Sequence, residues 1–132
     1  MLFRSNTLNA LLPSQAGNSG KILSTDGTNT TWTTAASPGL PSSSISSNIT
    51  LSSNYKYFVN TSASRTLTLP SSPSVGDEIY IYDASGTAAT YNITISRNSN
   101  YINGAASNFI VDLNGGAVSL VYTGGTYGWK AG

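Results

Sequence analysis

The stretch that most resembles a chemical motif is GNSGK at residues 17–21, a glycine-rich run that ends in lysine. A phosphate-binding loop needs four residues between its glycines and a Ser or Thr after the lysine, because that hydroxyl reaches the magnesium ion. Here only two residues separate the glycines, and Ile22 follows the lysine. The polar run STDGTN that comes next favours a turn over the helix such a loop must open. We therefore interpret residues 17–21 as a turn between short extended segments.

Residue types suited to catalysis are scarce. The chain has no histidine and no cysteine, which excludes disulfides, Cys- or His-ligated zinc and triads that need an imidazole. The acidic residues are Asp26, Asp77, Glu78, Asp83 and Asp112. Their number alone does not exclude a carboxylate pair for glycoside hydrolysis. Neighbours on a strand point to opposite faces, so Asp77 and Glu78 are interpreted as turn and surface residues. We expect no catalytic, cofactor-binding or metal-binding residue, and a protein that is not an enzyme.

The composition narrows the possible partners. Charged residues make up 8% of the chain against roughly 25% in ordinary globular proteins, and the net charge is +1. This excludes a strong electrostatic footprint for nucleic acid or an anionic membrane surface. No apolar stretch has the length of a signal-peptide core or a membrane span, so we expect no membrane insertion. The 22 Ser, 16 Thr and 13 Asn favour turns and strands over helices.

The first part of the sequence is predicted to be an extended N-terminal arm over residues 1–36. It contains a short hairpin, because two β-prone pieces at 21–23 and 30–33 flank Asp26-Gly27, a good turn signal. Residues 37–47, SPGLPSSSISS, are predicted to be a linker with no capacity to build a core. The arm has too few apolar side chains for its own core but enough to become ordered on a partner. The predicted docking residues are Leu8, Leu11, Leu12, Ile22, Leu23 and Trp32.

Residues 48–132 show repeated alternation of apolar and polar residues with turn residues between the runs. The prolines in the segment 70–76 interrupt this strand pattern, since proline has no backbone N–H to donate to a neighbouring strand. The pattern predicts an all-β fold, a small antiparallel β-sandwich or barrel-like domain, with Ile79 and Ile81 facing inward. The predicted strands are 55–59, 65–69, 78–82, 92–96, 109–113 and 118–122.

A domain this small, without disulfide or metal, is expected to need oligomerisation for stability. The eight tyrosines and two tryptophans among few charges also favour an interface. The alternative for the tyrosines is that they only cover the edge of an ordinary hydrophobic core. The alternative for Trp32 and Trp129 is local packing beneath a hairpin. The predicted trimer or packing residues are Tyr80, Tyr82, Tyr122 and Trp129.

Two parts of the chain carry short motifs in a characteristic order. Residues 11–34 carry Leu-Pro-x-Gln-x-Gly-Asn-x-Gly-Lys, then Thr-Asp-Gly-Thr, then Trp, and this order resembles an element near the N-termini of tail-fibre and baseplate-associated proteins. Residues 57–131 resemble a virion β-domain: Thr-Leu-x-Leu-Pro, a Pro-x-x-Gly-Asp turn into a strand ending in Asp, an Ile-Thr-Ile strand, an Ile-x-Gly turn and a closing Gly-Trp-Lys.

The resemblance implies a homotrimer located in the virion and docked by its arm to another virion protein of the capsid, baseplate or fibre. Fibres usually continue into a long shaft and a receptor-binding tip, whereas this sequence stops at Gly132. That difference favours a short tail fibre, a baseplate-type adaptor or a head-decorating protein. A carbohydrate-binding host-adsorption module that recognises a host surface glycan is the alternative, although no local cluster of aromatic and acidic residues stands out.

Overall fold

The computed structural model describes residues 12–35 and 39–132, which contain eleven strands and no helix. The all-β prediction is confirmed. The chain divides into two compact units, Met1–Pro38 and Gly39–Gly132. The strands are β1 (Lys21–Thr25), β2 (Thr30–Thr34), β3 (Ser42–Ile45), β4 (Ile49–Thr50), β5 (Tyr55–Val59), β6 (Arg65–Thr68), β7 (Glu78–Asp83), β8 (Ile93–Ser96), β9 (Phe109–Val111), β10 (Ala117–Tyr122) and β11 (Trp129–Ala131).

In the first unit, β1 and β2 form the hairpin that Asp26-Gly27 predicts. The Asp26 carboxylate closes the turn by accepting hydrogen bonds from the backbone N–H groups of Thr28 (2.8 Å) and Asn29 (2.7 Å). Gly27 has a φ of 94°, a conformation that costs a residue with a side chain much more than it costs glycine. Turn chemistry therefore explains the hairpin without any core beneath it.

In the second unit, the chain winds between two sheets. Successive strands from β3 to β8 alternate between a five-stranded sheet, order β11-β10-β7-β5-β3, and a four-stranded sheet, order β4-β6-β8-β9. The chain therefore returns to the same sheet with every second strand. Each returning strand runs parallel to the previous strand of that sheet. Only the closing strands β9, β10 and β11 pair antiparallel with their neighbours in this unit.

The predicted antiparallel pairing is thus wrong for the four pairs β3–β5, β5–β7, β4–β6 and β6–β8, which are parallel. Alternation along a strand reports which side is buried, and it is the same for parallel and antiparallel partners. The turn signals between predicted strands are equally consistent with hairpins. Between β3 and β8, the connections instead carry the chain across the core to the opposite sheet.

The predicted linker also needs correction, since β3 lies inside residues 37–47. Its sequence, SSSI, contains a single apolar residue, so it shows no alternation that could have revealed a strand. Ile45 is nevertheless only 9% exposed and belongs to the core. The second unit begins at Gly39, before the boundary at residue 48 that composition predicted.

The core lies between the inward faces of the two sheets. In the five-stranded sheet, Tyr57, Ile81 and Val118 occupy one row across neighbouring strands, and all three are buried. Leu67 and Ile95 form an equivalent row on the opposite sheet. The predicted inward orientation of Ile79 and Ile81 is confirmed, as neither is exposed to solvent. Burying a side chain of this size stabilises the fold by about 1.5–3 kcal/mol.

Strand direction gives the second unit two distinct ends. We call the end where β3, β5 and β7 begin the entry end, because the chain enters β3 there: the Lys56 N–H donates to the Pro41 carbonyl at 2.9 Å. The end where these strands finish is the far end. The segments 60–64, 84–92 and 112–116 connect strands at the far end.

Candidate interaction surfaces

The outer side of the five-stranded sheet carries the two predicted tyrosines of β7. Tyr80 and Tyr82 alternate with the buried isoleucines of the same strand and so face outward, where each is half-buried. The ring of Tyr82 stacks on that of Phe58 of β5, with centroids 5.5 Å apart and planes at 30°. We call the outward side of β7, β10 and β11 the tyrosine face. It contains a hollow of about 260 Å³ lined by Tyr80, Tyr82, Ala117, Val118, Ser119 and Gly132.

The other two predicted aromatic residues point the opposite way. Tyr122 of β10 is buried, and Trp129 of β11 has no exposed surface. Their rings pack together with centroids 5.3 Å apart, and the Tyr122 hydroxyl donates to Asn100 Oδ1 at 3.5 Å. Both are packing residues of their own unit. Tyr122 lies on the same side of β10 as the apolar Val118 and Leu120, because alternate residues of a strand share a side. The sequence pattern alone therefore indicates that Tyr122 faces inward.

The outer side of the four-stranded sheet is chemically different. We call it the hydroxyl face. Its two outward rows across neighbouring strands are Thr50, Thr68, Ser96 and Thr66, Thr94, Ile110. These six side chains include no aromatic ring and no charge. Aromatic residues are enriched in protein interfaces and Ser is depleted, so the tyrosine face is the better candidate for a subunit contact.

Asp83, the last residue of β7, organises the far end and was not singled out by the sequence analysis. Its side chain is 6% exposed. Oδ1 accepts hydrogen bonds from Thr61 Oγ1 (2.7 Å) and Gly86 N (3.1 Å). Oδ2 accepts from Ala88 N and Gly115 N, both at 2.9 Å. One carboxylate therefore ties together the segments 60–64, 84–92 and 112–116 at the far end.

The environment of Asp83 also sets its ionisation. Burial is the largest single influence and raises the pKa, since it disfavours the charged form. The hydrogen bonds from Thr61 and from three backbone N–H groups together outweigh burial, so the pKa of Asp83 lies below its ordinary value. The carboxylate is thus held ionised in the interior of the unit. A sequence signal for this role exists in Asp83-Ala84-Ser85-Gly86, a run typical of a turn in which Asp accepts from the following backbone.

In the first unit, the predicted docking residues remain largely accessible. Leu12, Ile22 and Leu23 are 38%, 52% and 43% exposed. Trp32 is half-buried, and its indole Nε1 donates to the Pro13 carbonyl at 3.2 Å. The predicted docking residues Leu8 and Leu11 lie outside the described residues. Apolar side chains left accessible on a small hairpin are available to a partner.

The glycine-rich run at 17–21 forms turns. Gly17 and Gly20 have φ values of 75° and 77°, and Lys21 begins strand β1. The Lys21 ammonium group donates to Asn18 Oδ1 at 2.9 Å. No helix follows within the described residues, so the run lacks the helix N-terminus on which a phosphate cradle depends.

The described parts of the chain contain no group of three or more Asp or Glu side chains arranged to hold a metal ion. Among the same residues there is no helix with the length and apolar character needed to cross a membrane. No family model matches the chain, and no curated protein matches it significantly.

Proposed function

We propose that this chain is a non-enzymatic structural protein of a bacteriophage virion, a short trimeric tail-fibre, baseplate-type or head-decorating protein held by its N-terminal arm. The observation that carries the proposal is the outward aromatic pair Tyr80 and Tyr82 on a small domain with few charges. Together with the phage-like motif order of the sequence, this surface supports assembly with copies of itself and with other virion proteins.

The tyrosine face is suited to a closed ring of identical subunits. It offers two half-buried rings beside a hollow, which a side chain of a neighbouring copy can enter. One outward row runs from Glu78 through Val121 to Lys130, so opposite charges lie at its two ends. In a head-to-tail ring, the carboxylate of one copy can therefore approach the ammonium group of the next.

The arm supplies the second contact. Ile22 and Leu23 lie on a two-stranded hairpin, which is at best marginally stable in water on its own. Burial of these side chains against a capsid, baseplate or fibre protein would stabilise the hairpin and fix the protein on the particle.

Incorporation into particles tests the arm. We expect the full-length Leu23→Asp variant to be lost from purified virions, because it places a charge at the proposed contact. Thr31→Asp changes an exposed residue of the facing strand and is the matched control. Immunolabelling in electron micrographs should show the wild type and the control on particles at a defined position. Equal incorporation of Leu23→Asp would contradict the arm's role.

A further inference from the structure

A second pocket lies at the far end, where β3 and β5 of the five-stranded sheet finish. Its volume is about 430 Å³, within the range of roughly 300–1,000 Å³ typical of small-molecule sites. Phe58, which is 37% exposed, supplies an aromatic surface. The other lining residues are neither aromatic nor charged: Ser44, Ile45, Ser46, Asn60, Ala84 and Ser85.

The chemistry of the lining selects a class of ligand. None of the lining side chains carries a charge. Ser44, Ser46 and Asn60 bring hydroxyl and amide groups, which can donate and accept hydrogen bonds, to the pocket that the Phe58 ring also lines. A sugar ring matches this arrangement, since it has hydroxyl groups around its edge and an apolar C–H face that can lie on an aromatic ring. We propose that this pocket binds a single neutral saccharide residue.

The pocket is held in shape before any ligand arrives. Ser85 Oγ accepts a hydrogen bond from Thr61 N at 2.9 Å and lies 3.4 Å from Asn60 Oδ1, to which it donates. The Asn60 N–H donates to the Ile45 carbonyl at 2.8 Å, which joins the pocket wall to the end of β3. Asp83 fixes the same segments from inside. A preformed site loses less conformational freedom on binding, which favours recognition of a small ligand.

Charge argues against an anionic ligand. The Arg65 guanidinium is already directed to protein groups: Nε donates to the Asn60 carbonyl at 3.0 Å and Nη2 donates to Ser62 Oγ at 3.2 Å. No lysine or arginine side chain lines the pocket. Phosphate and carboxylate groups are usually held by such cations, so a neutral sugar fits better than a phosphorylated or acidic one.

The pocket lies at the far end of the second unit, opposite the entry end of the same unit. Binding itself depends only on the pocket and not on the virion assignment.

Nuclear magnetic resonance of the full isotope-labelled chain tests this proposal. The probes are the methyl glycosides of glucose, galactose, mannose and N-acetylglucosamine, titrated into the millimolar range. We expect at least one of them to give saturable shifts of the Asn60, Ala84 and Ser85 amide signals. Phe58→Ser should weaken this binding about tenfold, because it removes the aromatic surface. Tyr127→Ser, which removes an exposed aromatic ring at the entry end, is the matched control and should bind normally.

Several outcomes would overturn the proposal: no shifts with any of the four glycosides, shifts that do not map to the pocket, or shifts unaffected by Phe58→Ser in a variant with native spectral dispersion. Equal or tighter binding of methyl glucuronide would contradict the neutral specificity. Concentration-dependent changes of the pocket signals without sugar would show that another copy covers it. If the protein has the mass of a single subunit and still binds sugar, the proposed trimer is refuted and the saccharide pocket is supported.

Discussion

The hydroxyl of Thr61 donates a 2.7 Å hydrogen bond to the carboxylate of Asp83, although the two residues are 22 positions apart in the sequence. Thr61 follows β5 and Asp83 ends β7, so the bond joins two parallel neighbours where they leave the sheet. Thr61 is itself buried and also contacts the Thr87 hydroxyl at 2.6 Å. A polar cluster therefore closes the far end of a core that is otherwise apolar.

Replacing the Asp83 carboxylate should destabilise the second unit. In Asp83→Asn, two of the four donors face an amide N–H₂ group instead of an acceptor, because each carboxylate oxygen accepts two hydrogen bonds, and the charge-assisted strength of the other two bonds is lost. We expect the free energy of unfolding in urea to fall by about 3 kcal/mol. Asp112→Asn alters an exposed residue of the same end and should change it by less than about 0.5 kcal/mol. Equal effects of the two substitutions would contradict the structural role of Asp83.

Acid should weaken the fold in a defined direction. Because the folded-state pKa of Asp83 lies below its ordinary value of 3.8, the ionised form stabilises the folded state. This contribution is fully present above the unfolded-state pKa and is lost as the pH falls through the folded-state pKa. Urea unfolding between about pH 6 and pH 2 should therefore show stability falling in the acid range. The fall should be smaller in Asp83→Asn, and an identical pH profile in both proteins would refute the linkage.

Gly128 should tolerate no side chain. Its φ is 71°, and a Cβ atom there would overlap the backbone carbonyl of Tyr101. Gly128→Ala should lower the unfolding free energy by at least about 2 kcal/mol, because backbone strain and steric overlap act together. Gly125→Ala is the control, since an added methyl group there would meet no neighbouring atom within 4 Å and the φ of Gly125 is unexceptional. Thermal melting of both variants measures the difference, and similar melting temperatures would contradict the packing of these two loops.

The sequence predicted most strands because their side chains alternate. Residues 78–82 predicted both the strand and its inward side, because Ile79 and Ile81 alternate with the more polar tyrosines. The strand β3 was missed because Ser42 to Ser44 carry no apolar signal, and it forms by pairing with the already buried β5. Its stability comes from tertiary context rather than from its own residues.

The candidate surfaces were only partly predictable. Parity distinguishes the outward Tyr82 from the inward Tyr122, but it does not say that Tyr82 stacks on Phe58, which depends on the parallel register of β5 and β7. The pocket at Phe58 joins residues that lie at or just after the ends of three different strands, so no local pattern reveals it. The central position of Asp83 was not predicted, because a local sequence pattern does not report that donors from three segments converge on one carboxylate.

Assembly through the tyrosine face is the central claim, and the mass of the protein in solution tests it most directly. Light scattering on the purified wild-type chain should give about three times the subunit mass of 13.7 kDa. Tyr82→Arg should give the subunit mass while keeping a native β spectrum, because it adds a bulky charge to the proposed interface. Thr94→Arg on the hydroxyl face should remain trimeric. A folded wild-type protein that scatters as a single 13.7 kDa chain would contradict the account.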